Sequence, residues 1–104
     1  MPGKLVRDKI PEIIEVTGKK PKIRILSDEE YLLELDNKLI EEIEEYTESR
    51  TLEELADVLE VLMAHCNIFG YSEEELLCTR LRKRSERGGF EQKLFWSGNE
   101  WMLI

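Results

Sequence analysis

The chain has 104 residues, 41% hydrophobic and 37% charged, with a net charge of −8; that balance suits a single domain spanning 1–104 and argues against a membrane protein. Its longest stretch without Asp, Glu, Lys or Arg runs from Val61 to Ser72, well short of the roughly 20 residues a spanning helix needs. An acidic chain repels nucleic-acid backbones, so no nucleic-acid partner is expected.

In chain order, Arg7 to Thr17 reads as a short helix with Pro11 in its first turn or kinking it. The preceding residues lack an apolar export segment, so a cytoplasmic location is expected. Gly18-Lys19-Lys20-Pro21-Lys22 breaks the helix, and Ile23-Arg24-Ile25-Leu26 alternates like a short strand or extended connector. Ser27 and Glu30 form a capping-box pattern, and helical periodicity follows to about Ser49. Thr51 with Glu54 opens the next helix, which lasts to about Phe69 and is closed by Gly70. Ser72 with Glu75 opens a third long helix ending at Gly88-Gly89. In the aromatic tail, Ser97-Gly98-Asn99 suits a turn between two short strands. The expected fold is all-α: a helical bundle with a short irregular or β-like C-terminal tail.

Charge is unevenly spread. Asp28 to Glu60 holds 14 acids and two bases, Lys38 and Arg50, while the rest of the chain holds nine acids and 13 bases. Such an acidic block is either a solvated helical surface or a seat for cations, with the basic segments holding a phosphorylated ligand.

Helical angles sort the carboxylates. At about 100° per residue, Leu32, Leu35, Leu39, Ile43 and Tyr46 form one apolar stripe; Glu42 lies about 60° from its centre and Glu45 about 120°, on the flank of Lys38. Glu41 and Glu44 point to the solvated side. In the next helix Leu52, Leu55, Val58, Leu59, Leu62 and Cys66 line one face while Val61, Ala64 and Ile68 cover another. A helix apolar on two sides packs against several neighbours, and a second subunit about a two-fold axis is the simplest extra one. Glu54 and Asp57 lie at the edges of these faces. Carboxylates so near a core are partly exposed, or paired with Lys38 or Arg50, or compensated by a cation. In the last case the i,i+3 pairs Glu42/Glu45 and Glu54/Asp57 oppose one another across a helical hairpin as four hard oxygen donors, suited to Mg²⁺.

Glu41-Glu42-Ile43-Glu44-Glu45 fits EExxE and Glu54-Leu55-Ala56-Asp57 fits ExxD. Together these resemble the paired signature of MazG-like nucleotide pyrophosphohydrolases. Lys4-Leu5-Val6-Arg7-Asp8-Lys9-Ile10-Pro11-Glu12 and Glu86-Arg87-Gly88-Gly89-Phe90 are similar to the ends of a small single-domain branch, labelled phosphoribosyl-ATP pyrophosphohydrolase-like. The resemblance implies an all-α fold, Mg²⁺ dependence with Mn²⁺ as a substitute, and cleavage of a nucleoside triphosphate between its α and β phosphates. It implies Glu42, Glu45, Glu54 and Asp57 as metal ligands, and it favours dimers or dimers of dimers. The eight residues between Glu45 and Glu54 make a shorter connection than in many relatives, which bears on substrate identity. Rival expectations are a histidine-biosynthetic phosphoribosyl-ATP pyrophosphohydrolase and a non-enzymatic helical interaction module.

For the reaction, Glu41 or Glu45 is expected to orient the attacking water. Arg80, Lys83, Arg84 and Arg87 recur at i, i+3, i+4, i+7, a solvated stripe or a phosphate-binding one. Lys38, Lys83, Arg84 and Arg87 are the phosphate-binding candidates, with Lys4, Arg7 and Lys9 behind them. His65 reads as a packed or edge residue, and Cys66 and Cys78 as small buried hydrophobes. Trp96 and Trp101 read as covers for helix surface.

Overall fold

The computed structural model describes residues 3–99. Among them the protein is all-helical, with four helices and no strand, and no helix is long and apolar enough to cross a membrane. The chain divides into two compact units, Met1–Ser72 and Glu73–Ile104.

In the first unit α1 spans Ile10–Val16, starting three residues after the expected Arg7. An earlier start would put Pro11 inside the helix, with its ring against the Arg7 carbonyl; starting at Ile10 leaves Pro11 in the first turn, where its missing N–H has no consequence. Residues 3–9 instead form a non-helical segment. The alternation at Ile23–Leu26 forms no strand, because no partner strand exists among the described residues to pair with it. Ile25 is 96% exposed.

Helix α2 spans Asp28–Ser49 and opens with a complete capping box: Ser27 accepts from the Glu30 N–H, and the Glu30 carboxylate accepts from the Ser27 N–H. Arg24 adds an ion pair to Glu30 at 2.9 Å. The Arg24 guanidinium, helped by Ser27, holds the Glu30 carboxyl at a pKa of about 2. A carboxyl held below its unfolded value stabilises the fold above that value, and loses the contribution as pH falls toward the folded one. The thermal midpoint is therefore expected to fall between about pH 4.5 and 2, and Glu30→Gln should flatten that part of the pH–Tm curve. An unchanged slope in the variant would show that other carboxyls govern acid unfolding.

Arg50, in a left-handed conformation at φ 58, closes α2 with its N–H on the Tyr46 carbonyl and its guanidinium 5.1 Å from the Tyr46 ring centre. Thr51 then caps α3, Leu52–Ile68, by accepting from the Glu54 N–H. So short a turn makes the two helices antiparallel, and their contacts agree: Asp36 meets His65, and further along α2 Glu42 meets Asp57. Gly70, at φ 77, lets the Tyr71 N–H return to the Cys66 carbonyl, a helix stop that a side chain at this φ would strain.

Among the described residues the buried ones are few: Leu35 at 2% exposure, Val61, Met63 and Cys66 of the apolar ones, and Glu42. The apolar stripe of α2 is turned toward Glu42 relative to the expected one. Tyr31 and Lys38 are half-buried on that side, whereas Ile43 on the other is 45% exposed. Leu32, Leu39 and Tyr46 of the expected stripe are half-buried as well. Val61 of α3 is buried, with Asp57, Val58, Ala64 and Ile68 half-buried around it; Leu52, Leu55, Leu59 and Leu62 remain exposed.

The second unit contains α4, Glu73–Arg87, with three glutamates in its first turn and Arg84 and Arg87 in its last, each favourable to the helix dipole. Gly88, at φ 84, ends it. Residues 88–99 carry no strand, and Arg84 pairs with Glu91 there. The expected second tail strand and Trp101 lie outside the described residues. Cys66 is buried as expected, but Cys78 is exposed on α4, so that cysteine is not a core residue.

Candidate metal centre

The hairpin turn places Glu54 and Asp57, from the first turns of α3, beside Glu42 from the second half of α2. Carboxylate oxygens of Glu42, Glu54 and Asp57 all lie within 4.8 Å of one another. Glu42 also belongs to a second cluster with Glu41 and Glu45, closed within the same distance. Glu45, expected beside Glu54 and Asp57, thus sits with its own helix neighbours, and Glu42 is the shared corner.

Glu42 is 6% exposed. Its Oε1 accepts an ion pair from Lys38 Nζ at 3.2 Å, one helical turn away. Its Oε2 is buried with no hydrogen-bond partner among the described residues, and so is Oε2 of Glu54. Burial raises the Glu42 carboxyl above its ordinary pKa against the pull of Lys38, and the charges of Glu45 and Asp57 add to the rise. Burial also works against the Lys38 ammonium, but hydrogen bonds and charges from Glu42 and Glu41 outweigh it and leave its pKa raised. Two buried, unpaired carboxylate oxygens on neighbouring residues of one acidic cluster are expensive unless a cation satisfies them. A set made wholly of carboxylates fits a hard divalent cation such as Mg²⁺, and offers nothing to soft metals that prefer sulfur.

Glu41, expected on the solvated side, is half-buried and lies 3.3 Å from Lys38 and 3.6 Å from Lys4. Glu44 is exposed as expected. Arg7 Nη2 donates to Asp57 Oδ1 at 2.6 Å. The cations that reach these acids within the first unit are therefore Lys38 and the N-terminal Lys4 and Arg7, which sequence spacing ranked second. Lys83, Arg84 and Arg87 are exposed on α4 in the second unit, with Arg84 held by Glu91. His65 Nε2 lies 3.7 Å from Asp36 Oδ1, beyond hydrogen-bond length. Trp96 is about half exposed.

No protein-family profile matches the chain, and no solved structure does. An uncharacterized protein of Mycolicibacterium smegmatis (strain ATCC 700084 / mc(2)155) is 56% identical over 43 residues, which is 41% of this chain and 44% of that protein. The alignment thus spans less than half of either chain.

Proposed function

We propose that the protein is a Mg²⁺-dependent, MazG-like nucleotide pyrophosphohydrolase that converts a nucleoside triphosphate to its monophosphate and pyrophosphate. The observation that carries this reading is the triad of Glu42, Glu54 and Asp57, with the buried, unpaired oxygens on Glu42 and Glu54. The EExxE and ExxD motifs and the likeness of both chain ends to the small single-domain branch add the reaction class.

Glu42, Glu54 and Asp57 would hold the cation, with Glu45 at the adjoining cluster. Bound there, Mg²⁺ or Mn²⁺ supplies neutralisation of phosphate charge and activation of water. Lys38, kept protonated by Glu41 and Glu42, places a fixed positive charge at the edge of the site. Of the two candidates for orienting water, Glu41 is already engaged by Lys38 and Lys4. Glu45 is exposed, which makes it the freer base. The same reading makes the protein a cytoplasmic homo-oligomer.

Pyrophosphate release should be measured across ribo- and deoxynucleoside triphosphates and phosphoribosyl-ATP, with and without Mg²⁺. Turnover of triphosphates in ¹⁸O-labelled water is expected to put the label in the monophosphate, because attack at the α phosphorus leaves pyrophosphate unlabelled. Turnover confined to phosphoribosyl-ATP would move the assignment to that enzyme. Orthophosphate as the sole product, or no turnover of any nucleotide, would refute the reading.

A further inference from the structure

The ion pair between Arg7 and Asp57 joins residues 50 apart in sequence and ties the non-helical segment before α1 to the carboxylate triad. Leu5 and Val6 of that segment are half-buried, whereas the Arg7 side chain is more than half exposed. Its apolar residues thus anchor the segment while its guanidinium reaches toward the acids. Segment and hairpin enclose an open cavity of about 510 Å³, lined in part by Arg7, Tyr31, Lys38, Glu42 and Asp57. Its lining thus brings carboxylates of both elements, Asp8, Glu42, Asp57 and Glu60, together with Arg7 and Lys38.

From this geometry we propose that Arg7 is a displaceable counter-ion: it neutralises Asp57 until a divalent cation takes that carboxylate, and then turns to the phosphates of the bound nucleotide. This rests on the pyrophosphohydrolase reading and adds a substrate-positioning residue to it. Asp57 is paired with Arg7 and Glu42 Oε1 with Lys38, while Glu42 and Glu54 each keep one buried oxygen unpaired. A dication held by Glu42, Glu54 and Asp57 would repel the guanidinium beside Asp57. The displaced guanidinium is more than half exposed and is free to reach another anion. A triphosphate in the cavity is the anion that suits a planar, five-donor guanidinium. Cation and arginine thus compete for Asp57, whereas arginine and cation cooperate toward the nucleotide.

Opposite signs follow for one substitution. In Arg7→Ala the dissociation constant for Mn²⁺ alone, measured by calorimetry, is expected to fall about two- to fivefold because the competitor, a partly exposed ion pair, is gone. Affinity for an α,β-methylene nucleoside triphosphate at saturating Mn²⁺ is expected to fall at least tenfold. A merely structural role would weaken both. Arg7→Lys, which keeps the charge without the planar fork, should stay near wild type for Mn²⁺ and still lose nucleotide affinity. In the wild-type chain, the Arg7 Nε resonance should move during a Mg²⁺ titration with the same midpoint as cation binding, a readout independent of any variant's folding. Unchanged or weaker Mn²⁺ binding in Arg7→Ala, or an Arg7 resonance indifferent to Mg²⁺, would overturn the exchange and leave the metal site standing. A wild-type chain that binds no Mn²⁺ would overturn both.

Discussion

Glu54→Ala and Asp57→Ala are each expected to lower Mg²⁺-dependent kcat/KM by more than about 100-fold, since even supporting residues around metal ligands commonly cost 10- to 100-fold. The helices should survive. Glu54 lies in the first turns of α3 with one buried oxygen unpaired, so its removal relieves a desolvated acceptor, worth about 1 kcal/mol. Alanine also raises helix propensity slightly. Glu54→Ala should therefore melt at or above the wild-type temperature when Mg²⁺ is withheld. Asp57→Ala additionally loses the partly exposed Arg7 pair, worth about 0–1 kcal/mol, and should come out close to neutral. Wild-type protein should gain thermal stability as Mg²⁺ is added, and neither variant should. Glu44→Ala, on an exposed position outside both acidic clusters, should retain turnover and the Mg²⁺-dependent rise in Tm. Normal turnover in Glu54→Ala and Asp57→Ala would remove the triad from the chemistry.

The helices of the hairpin were legible because their ends are written in short-range chemistry. Ser27/Glu30 and Thr51 act through backbone groups three residues away, and Gly70 and Gly88 adopt the positive φ that glycine tolerates. Pairing Lys38 with Glu42 needs only the pitch of one helix. The orientation of α2 about its axis was less legible. Periodicity gives the apolar stripe, but the half-buried Tyr31 and Lys38 turn its centre from the Ile43 side toward Glu42. That rotation follows from what the helix packs on, which is tertiary information. Arg7 on Asp57 lay further out of reach, because a contact across 50 residues leaves no spacing to read. The alternation of Ile23–Leu26 misled for a related reason: it describes one strand, and a strand exists only with a partner.

The carboxylate cluster and the small core are two sides of one arrangement. Glu42 occupies a position on α2 that packing would otherwise fill with an apolar residue, close to the centre of the stripe whose most buried member is Leu35. Glu54 and Asp57 likewise take places on the face of α3 that carries Val61. Acids placed there weaken the hairpin as a folding unit and position the site as a binding unit, a trade common where function displaces packing. The apolar surface that balances it must lie elsewhere, and α3 carries it on its other side, in Leu55, Leu59 and Leu62.

That division makes two leucine substitutions diagnostic. Leu35→Ala, at 2% exposure, should cost about 2–5 kcal/mol by opening a cavity in the hairpin core, and its cost should not depend on protein concentration. Leu59 is 47% exposed in a single chain, and Leu59→Ala in an isolated protomer should cost about 1 kcal/mol or less. In a homodimer built on the Leu55–Leu59–Leu62 face, Leu59 is covered by the second copy, and a contiguous apolar surface of this kind is what such an interface buries. Leu59→Glu would then place a carboxylate in an apolar interface without a partner, which is costly enough to separate the protomers. Sedimentation at micromolar concentration is expected to give about twice the 12.3 kDa chain mass, or a multiple of that dimer, for wild type and Leu35→Ala below its melting point, and a single chain mass for Leu59→Glu. Helicity of Leu59→Glu should stay near the wild-type value, because α2 and α3 still close over Leu35 and Val61. A wild-type chain that sediments as a strict monomer would leave the leucine face without the partner assigned to it.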